Sequence, residues 1–579
     1  MLLTIPPYPV LSMPMEILLS RILELRRQDP SRTAIIMQQA GQADFVISYD
    51  QLLKGAAGVT ATLEEQNIQP GSVVILVLQH SQVLVYGFFG AILHGAIPSI
   101  MPFLTEKLSP EKYQADIAAL LGITRPAAIL TEPAFLPLMQ QIAGPNTSVR
   151  AVLDVSACPS PQSPPHFTTF AGLGRSPEDI VLLQHSSGTT GLQKGVALSN
   201  RAVIRQLDTY AAELRLSDQD VIVSWLPLYH DMGLIAGFIL PVLKGVPLVL
   251  MSPFDWVRAP YKLLQAISTY HGSLTWLPNF AYNFCAQKIR DRDLTGVDLS
   301  SLRAVSNCSE PMRWDSHQLF LHRFQPWGLR PEALTTCYAM AENVFAVSQG
   351  GIHRPVSTFA VDSVDLIAHR KLSPPSFPAQ TATLLSAGPP IANTHVRILN
   401  DRHQPLPEDE IGEIALQSDC MLTGYYNRPD ATRQAFHRGW LLTGDLGFLH
   451  QGEVYVIGRK KDLIIVDGKN IFPQDLENLA YTVKGIHPGR AVAFGLMNDS
   501  LGTEEVVIVA ECEPGLDDPH ILEELEAKIR LALIQGSEIT PRQVKVVPPP
   551  WILKTSSGKT ARSANRDKYL RLLGPHSTG

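Results

Sequence analysis

Leu183-Gln-His-Ser-Ser-Gly-Thr-Thr-Gly-Leu-Gln-Lys-Gly-Val196 is the stretch on which the reading of this chain turns. Four hydroxyls (Ser186, Ser187, Thr189 and Thr190) alternate with Gly188 and Gly191 and lead to Lys194-Gly195, directly after the apolar run Ile180-Val-Leu-Leu183, which reads as a strand. Such a loop suits a polyphosphate, because glycines let backbone N–H groups turn inward, hydroxyls donate further hydrogen bonds and the lysine supplies charge. It is not a Walker A loop, which needs Gly-x4-Gly-Lys-Ser/Thr: Gly191 is followed by Leu-Gln-Lys, and in the later Gly558-Lys559-Thr560 the first glycine's place is held by Leu553. A solvated Ser/Gly linker has a similar composition. Against that reading, apolar segments flank the string on both sides and a single lysine ends it.

The chain of 579 residues has room for at least one large core and about two to four domains. Its hydrophobic share of 45% and charged share of 18% are those of a globular protein, and a net charge of −6 offers no basic footprint for nucleic acid or an anionic membrane. The six cysteines (158, 285, 308, 337, 420, 512) form no Cys-x-x-Cys pair, so neither a zinc site nor a disulfide framework is expected and a reducing compartment is. Met1-Leu-Leu-Thr-Ile-Pro-Pro lacks the basic region of a signal peptide. The most apolar window, Gly233 to Met251, is interrupted by Pro241, Lys244, Gly245 and Pro247, and so predicts a buried helix turning into a strand rather than a membrane span. A soluble cytoplasmic protein is the expectation.

Helical and strand periods alternate along the chain. Helix 50–65, strand 72–78, helix 81–94 and strand 97–100 are followed by strands 127–130 and 149–155 and, beyond the phosphate loop, helix 199–214. This alternation predicts an α/β fold with largely parallel sheets. Val221 to Gly233 places His230 and Asp231 just past a strand end, where α/β enzymes keep functional side chains. The last fifth of the chain repeats the alternation and ends in a proline-marked tail, which predicts a small separate domain hinged at the charged segment Arg459 to Asp462.

Taken in order, these pieces resemble the adenylate-forming superfamily of acyl-CoA ligases, nonribosomal adenylation domains and luciferases, over essentially the whole chain. Ser186 to Gly195 is similar to the family's phosphate loop, with Gln193 where proline is commoner. Tyr338-Ala-Met-Ala-Glu342 is similar to Tyr-Gly-x-Thr/Ala-Glu with Ala339 in the glycine's place, and Thr443-Gly-Asp445 to the ribose-binding Thr-Gly-Asp with Leu442 where arginine is common. Gly458-Arg-Lys-Lys-Asp462 resembles the hinge motif and Thr555-Ser-Ser-Gly-Lys559 the catalytic-lysine motif. The resemblance implies an N-terminal domain (1–457) of mixed, largely parallel sheets with helices and a small β-rich subdomain, a hinge (458–462) pivoting near Lys461, and a small mobile C-terminal α+β domain (463–579).

It also implies ATP and Mg2+. Attack of a carboxylate on the α-phosphate joins two anions, so positioning and charge neutralisation must do the work, with no protein nucleophile. The implied roles are Lys559 bridging carboxylate and α-phosphate, Glu342 and Thr190 at the metal, and His230 at the reacting groups. Ser186, Ser187, Gly188, Thr189, Thr190, Gly191 and Lys194 would hold the phosphates, and Glu310, Tyr338, Ala339, Asp445 and Arg459 the nucleoside. Taken singly, each residue has a plainer reading, a surface salt bridge for Glu342 or Asp445 and a solvated tail for Lys559.

Within the superfamily, Trp225-Leu-Pro-Leu-Tyr-His-Asp-Met-Gly-Leu234, Pro278-Asn-Phe-Ala-Tyr282, Ser309-Glu-Pro311 and Asn470-Ile-Phe-Pro-Gln-Asp-Leu-Glu477 resemble fatty acyl-AMP ligases. Those enzymes activate a fatty acid and pass it to an acyl carrier protein of polyketide or peptide assembly, disfavouring coenzyme A, and they carry an insertion after the Tyr-Gly-x-x-Glu motif. Glu342 to Gly388 spans 388 − 342 = 46 positions, and segment 352–383 within it contains a helical piece, Val364 to Leu372, whose apolar residues suit docking although its prolines suit a surface loop. No carrier domain is recognisable, so the carrier is expected in trans. An ordinary acyl-CoA ligase and an inactive acyl-adenylate-binding protein are the alternatives; retention of Glu342, Asp445, Arg459 and Lys559 argues against the second. Trp225, Tyr229, Trp276, Phe280 and Phe284 are candidate acyl-pocket walls and equally candidate core residues.

Overall fold

The computed structural model of the chain describes residues 17–105, 110–156, 165–185, 194–466, 469–498, 503–537, 539–555 and 558–573. The apolar runs pair into two parallel-stranded sheets. In the larger, the strands Leu334–Ala339, Ala304–Cys308, Leu274–Leu277, Ile222–Ser224, Leu248–Met251 and Thr33–Gln38 lie side by side and parallel. Antiparallel edges, Ala346–Gly350 and Phe45–Ser48, close it. The second sheet is Ile97–Ile100, Val73–Val77, Ala128–Thr131 and Ala151–Asp154, all parallel. Every residue of Val73–Val77 is buried, as expected of a strand covered on both faces. Helices cover the sheets. Tyr49–Glu65 starts in a capping box between Ser48 and Gln51, and Gln82–His94 stops at Gly95, whose φ of 80° only glycine adopts freely.

The phosphate-loop stretch is carried by a hairpin. Strand Ile180–His185 pairs antiparallel with Gly195–Ser199, His185 opposite Gly195, and Gly424–Tyr425 adds a third strand beside it. Loop residues 186–193 lie outside the described residues. The apolar window behaves as its composition requires: a π-helix, Met232–Ile239, continues as Leu240–Lys244 and turns into strand Leu248–Met251. Pro241 sits in the first turn of the second helix, where proline is tolerated. Among the described residues no helix is long and apolar enough to cross a membrane.

An antiparallel sheet follows, built from Thr394–Leu399, Gly412–Ser418, Trp440–His450 and Glu453–Arg459. A single 3-10 turn, Lys460–Asp462, then leads to a second, smaller core. Ile464, Ile471, Leu476, Ile508, Ile529 and Leu533 pack there, apart from the main core. Around it stand the three-stranded sheet Ile486–Asn498, Thr503–Cys512 and Gln543–Val547 and the helices Pro473–Tyr481 and Pro519–Ser537.

Segment 352–383 is ordered around a hairpin, Thr358–Asp362 with Thr381–Leu385. Its helix, Ser363–His369, is shorter than the expected Val364 to Leu372: Asp362 caps the start by accepting from the N–H groups of Val364 and Asp365 at 3.0 Å each, and Arg370 ends it with φ 51°. This helix packs against strand Lys469–Ile471 and helix Pro519–Ser537 of the smaller core.

Candidate active site

The residues that follow the carboxyl ends of the parallel strands converge on one cavity of about 2360 Å3. His80, Pro102, Trp225 to Pro227, Tyr229 to Gly233, Ser252, Pro278 and Ser309 come from both sheets, and Arg490 and the run Pro550 to Thr555 come from the smaller core. Ligand sites of open α/β sheets form at such strand ends.

Lys559 reaches this cavity from the far end of the chain. Its loop is held by hydrogen bonds across a tight turn: Thr555 N–H donates to the Lys559 carbonyl at 2.7 Å, and Gly558 N–H to the Thr555 carbonyl at 2.9 Å. Gly558, with φ 83°, faces the Phe280 ring. The Lys559 charge is felt by His230 and Asp231. Burial, helped by that charge, pushes His230 down to about 3, so its imidazole is neutral at physiological pH, and its Nε2 is buried without a partner among the described residues. Burial raises Asp231, opposed by Lys559 and by the Met232 N–H that its carboxylate accepts at 2.8 Å. The π-helix starting at Met232 brings this loop close to its own backbone: a Cβ on Gly233 would lie 2.2 Å from the Pro227 carbonyl oxygen, so only glycine fits there.

Glu342 lies in a short turn after strand Leu334–Ala339 and accepts from the Tyr425 hydroxyl at 2.9 Å. Burial raises its carboxyl above the usual range, and the Asp231 carboxylate adds to the shift. The Tyr425 ring in turn carries the Lys194 ammonium, 4.4 Å from its centroid. On the other wall, the Tyr338 hydroxyl donates to Asp445 at 2.7 Å and the Arg459 Nε stands 3.2 Å from the same carboxylate, Asp445 and Arg459 being register partners on adjacent strands. Asp445 chiefly raises Arg459, which stays charged. Thr443 orients Asp445 by accepting its N–H at 3.0 Å. Glu310 accepts from the Phe280 N–H at 3.0 Å.

Lys194, Trp225, Tyr229, His230, Phe280, Glu310, Tyr338, Ala339, Glu342, Asp445, Arg459, Lys461 and Lys559 all line this one cavity. Ser186, Ser187, Gly188, Thr189, Thr190 and Gly191 lie outside the described residues. Trp276 and Phe284 are not in the wall. Trp276 is a core residue whose indole N–H donates to Tyr210 at 2.9 Å, and Phe284 packs on Trp256. Trp256, parallel to Trp225 at 3.5 Å, backs the wall that Trp225 forms. Asp231, to which the sequence attaches a place but no specific role, and Tyr425 also line the cavity. Asp231 was visible beside His230, whereas Tyr425 is 83 positions from Glu342 and no spacing pattern announces it.

A strand-end cleft that gathers Tyr338, Asp445, Arg459, Glu342 and Lys559 has the chemistry an adenylating enzyme needs. The AMP-binding enzyme model matches residues 24–426, and the chain belongs to that family. It is 29% identical over 564 residues, 93% of each chain, to the medium-chain-fatty-acid–[acyl-carrier-protein] ligase JamA of Moorena producens. It is also 29% identical over 588 residues, 93% of this chain and 98% of the relative, to a Mycobacterium bovis protein named as a fatty-acid–CoA ligase, FadD21. Among solved structures, one from a study of fatty acyl-adenylate ligases from E. coli and L. pneumophila superposes with a TM-score of 0.86 at 27% identity, covering 96% of this chain and 98% of that one.

Proposed function

We propose that this chain is a fatty acyl-AMP ligase that activates a fatty acid with ATP and passes the acyl group to the phosphopantetheine thiol of an acyl carrier protein in trans. In the first step a carboxylate oxygen bonds to the α-phosphorus as the α–β phosphoanhydride breaks and pyrophosphate leaves. In the second, the thiol sulfur bonds to the acyl carbon, AMP leaves and the thiol proton is released. The observation that carries the reading is the meeting of Lys559 with His230, Glu342, Tyr338, Asp445 and Arg459 around one cavity.

Lys559 neutralises charge as the two anions join. His230, neutral and with a ring nitrogen that no described residue engages, hydrogen-bonds the acid without adding charge. Asp445, held by Tyr338 and Arg459, takes the ribose hydroxyls, and Lys194 serves the phosphates. The donor set fits a Mg2+ shared with the nucleotide. Glu342 is a half-buried carboxyl in the field of Asp231, a repulsion a cation relieves, and no cluster of three or more His, Cys, Asp or Glu among the described residues would hold a metal by itself. Glu342 and Thr190 would be the protein ligands, with phosphate oxygens and water completing the shell, and the ion would supply charge neutralisation at the phosphates.

The carrier-protein acceptor is supported by the JamA relative and by the insertion helix packed on the smaller core. The FadD21 relative, named for coenzyme A, favours the second reading, an acyl-CoA ligase with the same first step. Single-turnover assays with a preformed acyl-AMP and either acceptor separate the two. Faster transfer to a holo carrier protein supports the first, and faster transfer to coenzyme A replaces it with the second.

A further inference from the structure

Arg313 stands where three parts of the molecule meet. Its backbone N–H donates to Asn279 Oδ1 at 3.0 Å, and Asn279 is fixed in turn by Ser316 at 3.1 Å and Asn307 at 2.9 Å. Its backbone also forms an antiparallel bridge with Leu384, in the second strand of the insertion hairpin. The side chain then crosses to the smaller core, with a guanidinium nitrogen 3.7 Å from Asp475 Oδ1 and 3.5 Å from the Gln474 carbonyl oxygen. Both partners belong to the first turn of helix Pro473–Tyr481.

Asp475 is enclosed at this junction, its side chain 19% exposed, with Glu477 as a repulsive neighbour and Arg313 as the attractive one. Turning the smaller core away from Arg313 removes that attraction. The helix is also tied to Lys559. Glu477 accepts from Arg562 at 2.6 Å and from the Ala493 N–H at 2.9 Å, and Arg562, three positions beyond Lys559, reaches hinge residue Asp462 at 3.3 Å. A grip on Asp475 is therefore passed through one hydrogen-bonded unit to both the lysine loop and the hinge.

We propose that Arg313 is a positioning residue that selects the orientation in which Lys559 stands in the active site, and that its backbone bridge to Leu384 couples the insertion to this choice. The proposal rests on the two-step reading above. It favours the adenylating orientation and opposes the one used for acyl transfer. A partly exposed ion pair shifts such an equilibrium by a modest factor, about 2- to 5-fold.

Arg313→Ala should slow acyl-AMP formation by about that factor and leave transfer from preformed acyl-AMP unchanged or faster. Arg313→Lys should recover part of the loss, and Asp475→Asn should reproduce it. The Arg313→Ala/Asp475→Asn double variant should be no slower than either single one, because the two residues act as a pair. Orientation is read independently of activity by spin labels at the exposed positions 319 and 531, introduced as Leu319→Cys and Leu531→Cys with Cys158→Ser, before and after Arg313→Ala. A broadened or shifted distance distribution supports the proposal. Equal loss in both half-reactions, additive single effects or an unchanged distance distribution overturns it. A wild-type chain that makes no acyl-AMP overturns the proposed function instead, and the distance measurement still decides the role of Arg313.

Discussion

Lys559→Ala is the substitution that bears most directly on how the cavity works. The side chain comes from a loop fixed by its own turn hydrogen bonds, so truncation removes a charge with little disturbance to the fold. A unit charge about 4 Å from an opposite one, at an effective dielectric of about 20, interacts by about 4 kcal/mol. Only the part that grows as the anions join lowers the barrier, and preorganised groups of this kind contribute about 3 kcal/mol, about a hundredfold in rate. Burial is the larger cause of the depressed His230, so that imidazole stays neutral at pH 7 in the variant and the loss reports the missing ammonium. Quenched-flow measurement of acyl-AMP formation, beside transfer from preformed acyl-AMP, separates the steps. Adenylation should fall about a hundredfold with transfer preserved. Equal losses in both steps would refute this role for Lys559.

Other outcomes follow from the same geometry. Glu342→Gln, which keeps the shape but removes the ligand charge, should raise the Mg2+ concentration needed for half-maximal pyrophosphate release; an unchanged Mg2+ dependence removes Glu342 from the metal. Lys461→Pro stiffens the turn Lys460–Asp462 and should slow thioester formation far more than adenylation; similar slowing of both steps places the pivot elsewhere. Replacing segment 352–383 with a short Gly/Ser bridge removes the helix Ser363–His369 that packs on the smaller core and should raise acyl-CoA output while sparing acyl-AMP, whereas unchanged acceptor preference refutes its role. His185 and His317 are buried and held near pKa 4, against about 6.5 when unfolded, so the stability they contribute is complete above pH 6.5 and lost as pH falls towards 4. By pH 5 each loses about 2 kcal/mol. Melting temperatures at pH 7 and pH 5 should show the drop, and His317→Phe, stacked on Tyr282, should reduce it.

Most of the fold was legible because strand and helix periods are local. Val73–Val77 reads as a doubly covered strand from its own residues, and the helix expected over 199–214 forms as Asn200–Glu213 with Val203, Leu207 and Tyr210 buried. What local pattern leaves open is which distant residues meet. Strand Leu274–Leu277 is buried at every position, so its pattern cannot tell a core face from a cavity face, and Trp276 packs at Tyr210. Tyr425 joins Glu342 to Lys194 because strand Gly424–Tyr425 lies beside the phosphate-loop hairpin, a pairing set by tertiary structure. The link between Arg313 and Asp475 is hidden for the same reason, since each alone reads as an ordinary surface charge.

The central claim is tested most directly by offering the wild-type protein ATP, Mg2+ and a ladder of fatty acids with equimolar coenzyme A and holo acyl carrier protein, and identifying every product by mass spectrometry. Acyl-AMP should form for at least one chain length, with acyl-carrier thioester in clear excess over acyl-CoA. Acyl-CoA formed as readily as the carrier thioester, or no acyl-AMP from any acid, would contradict the claim.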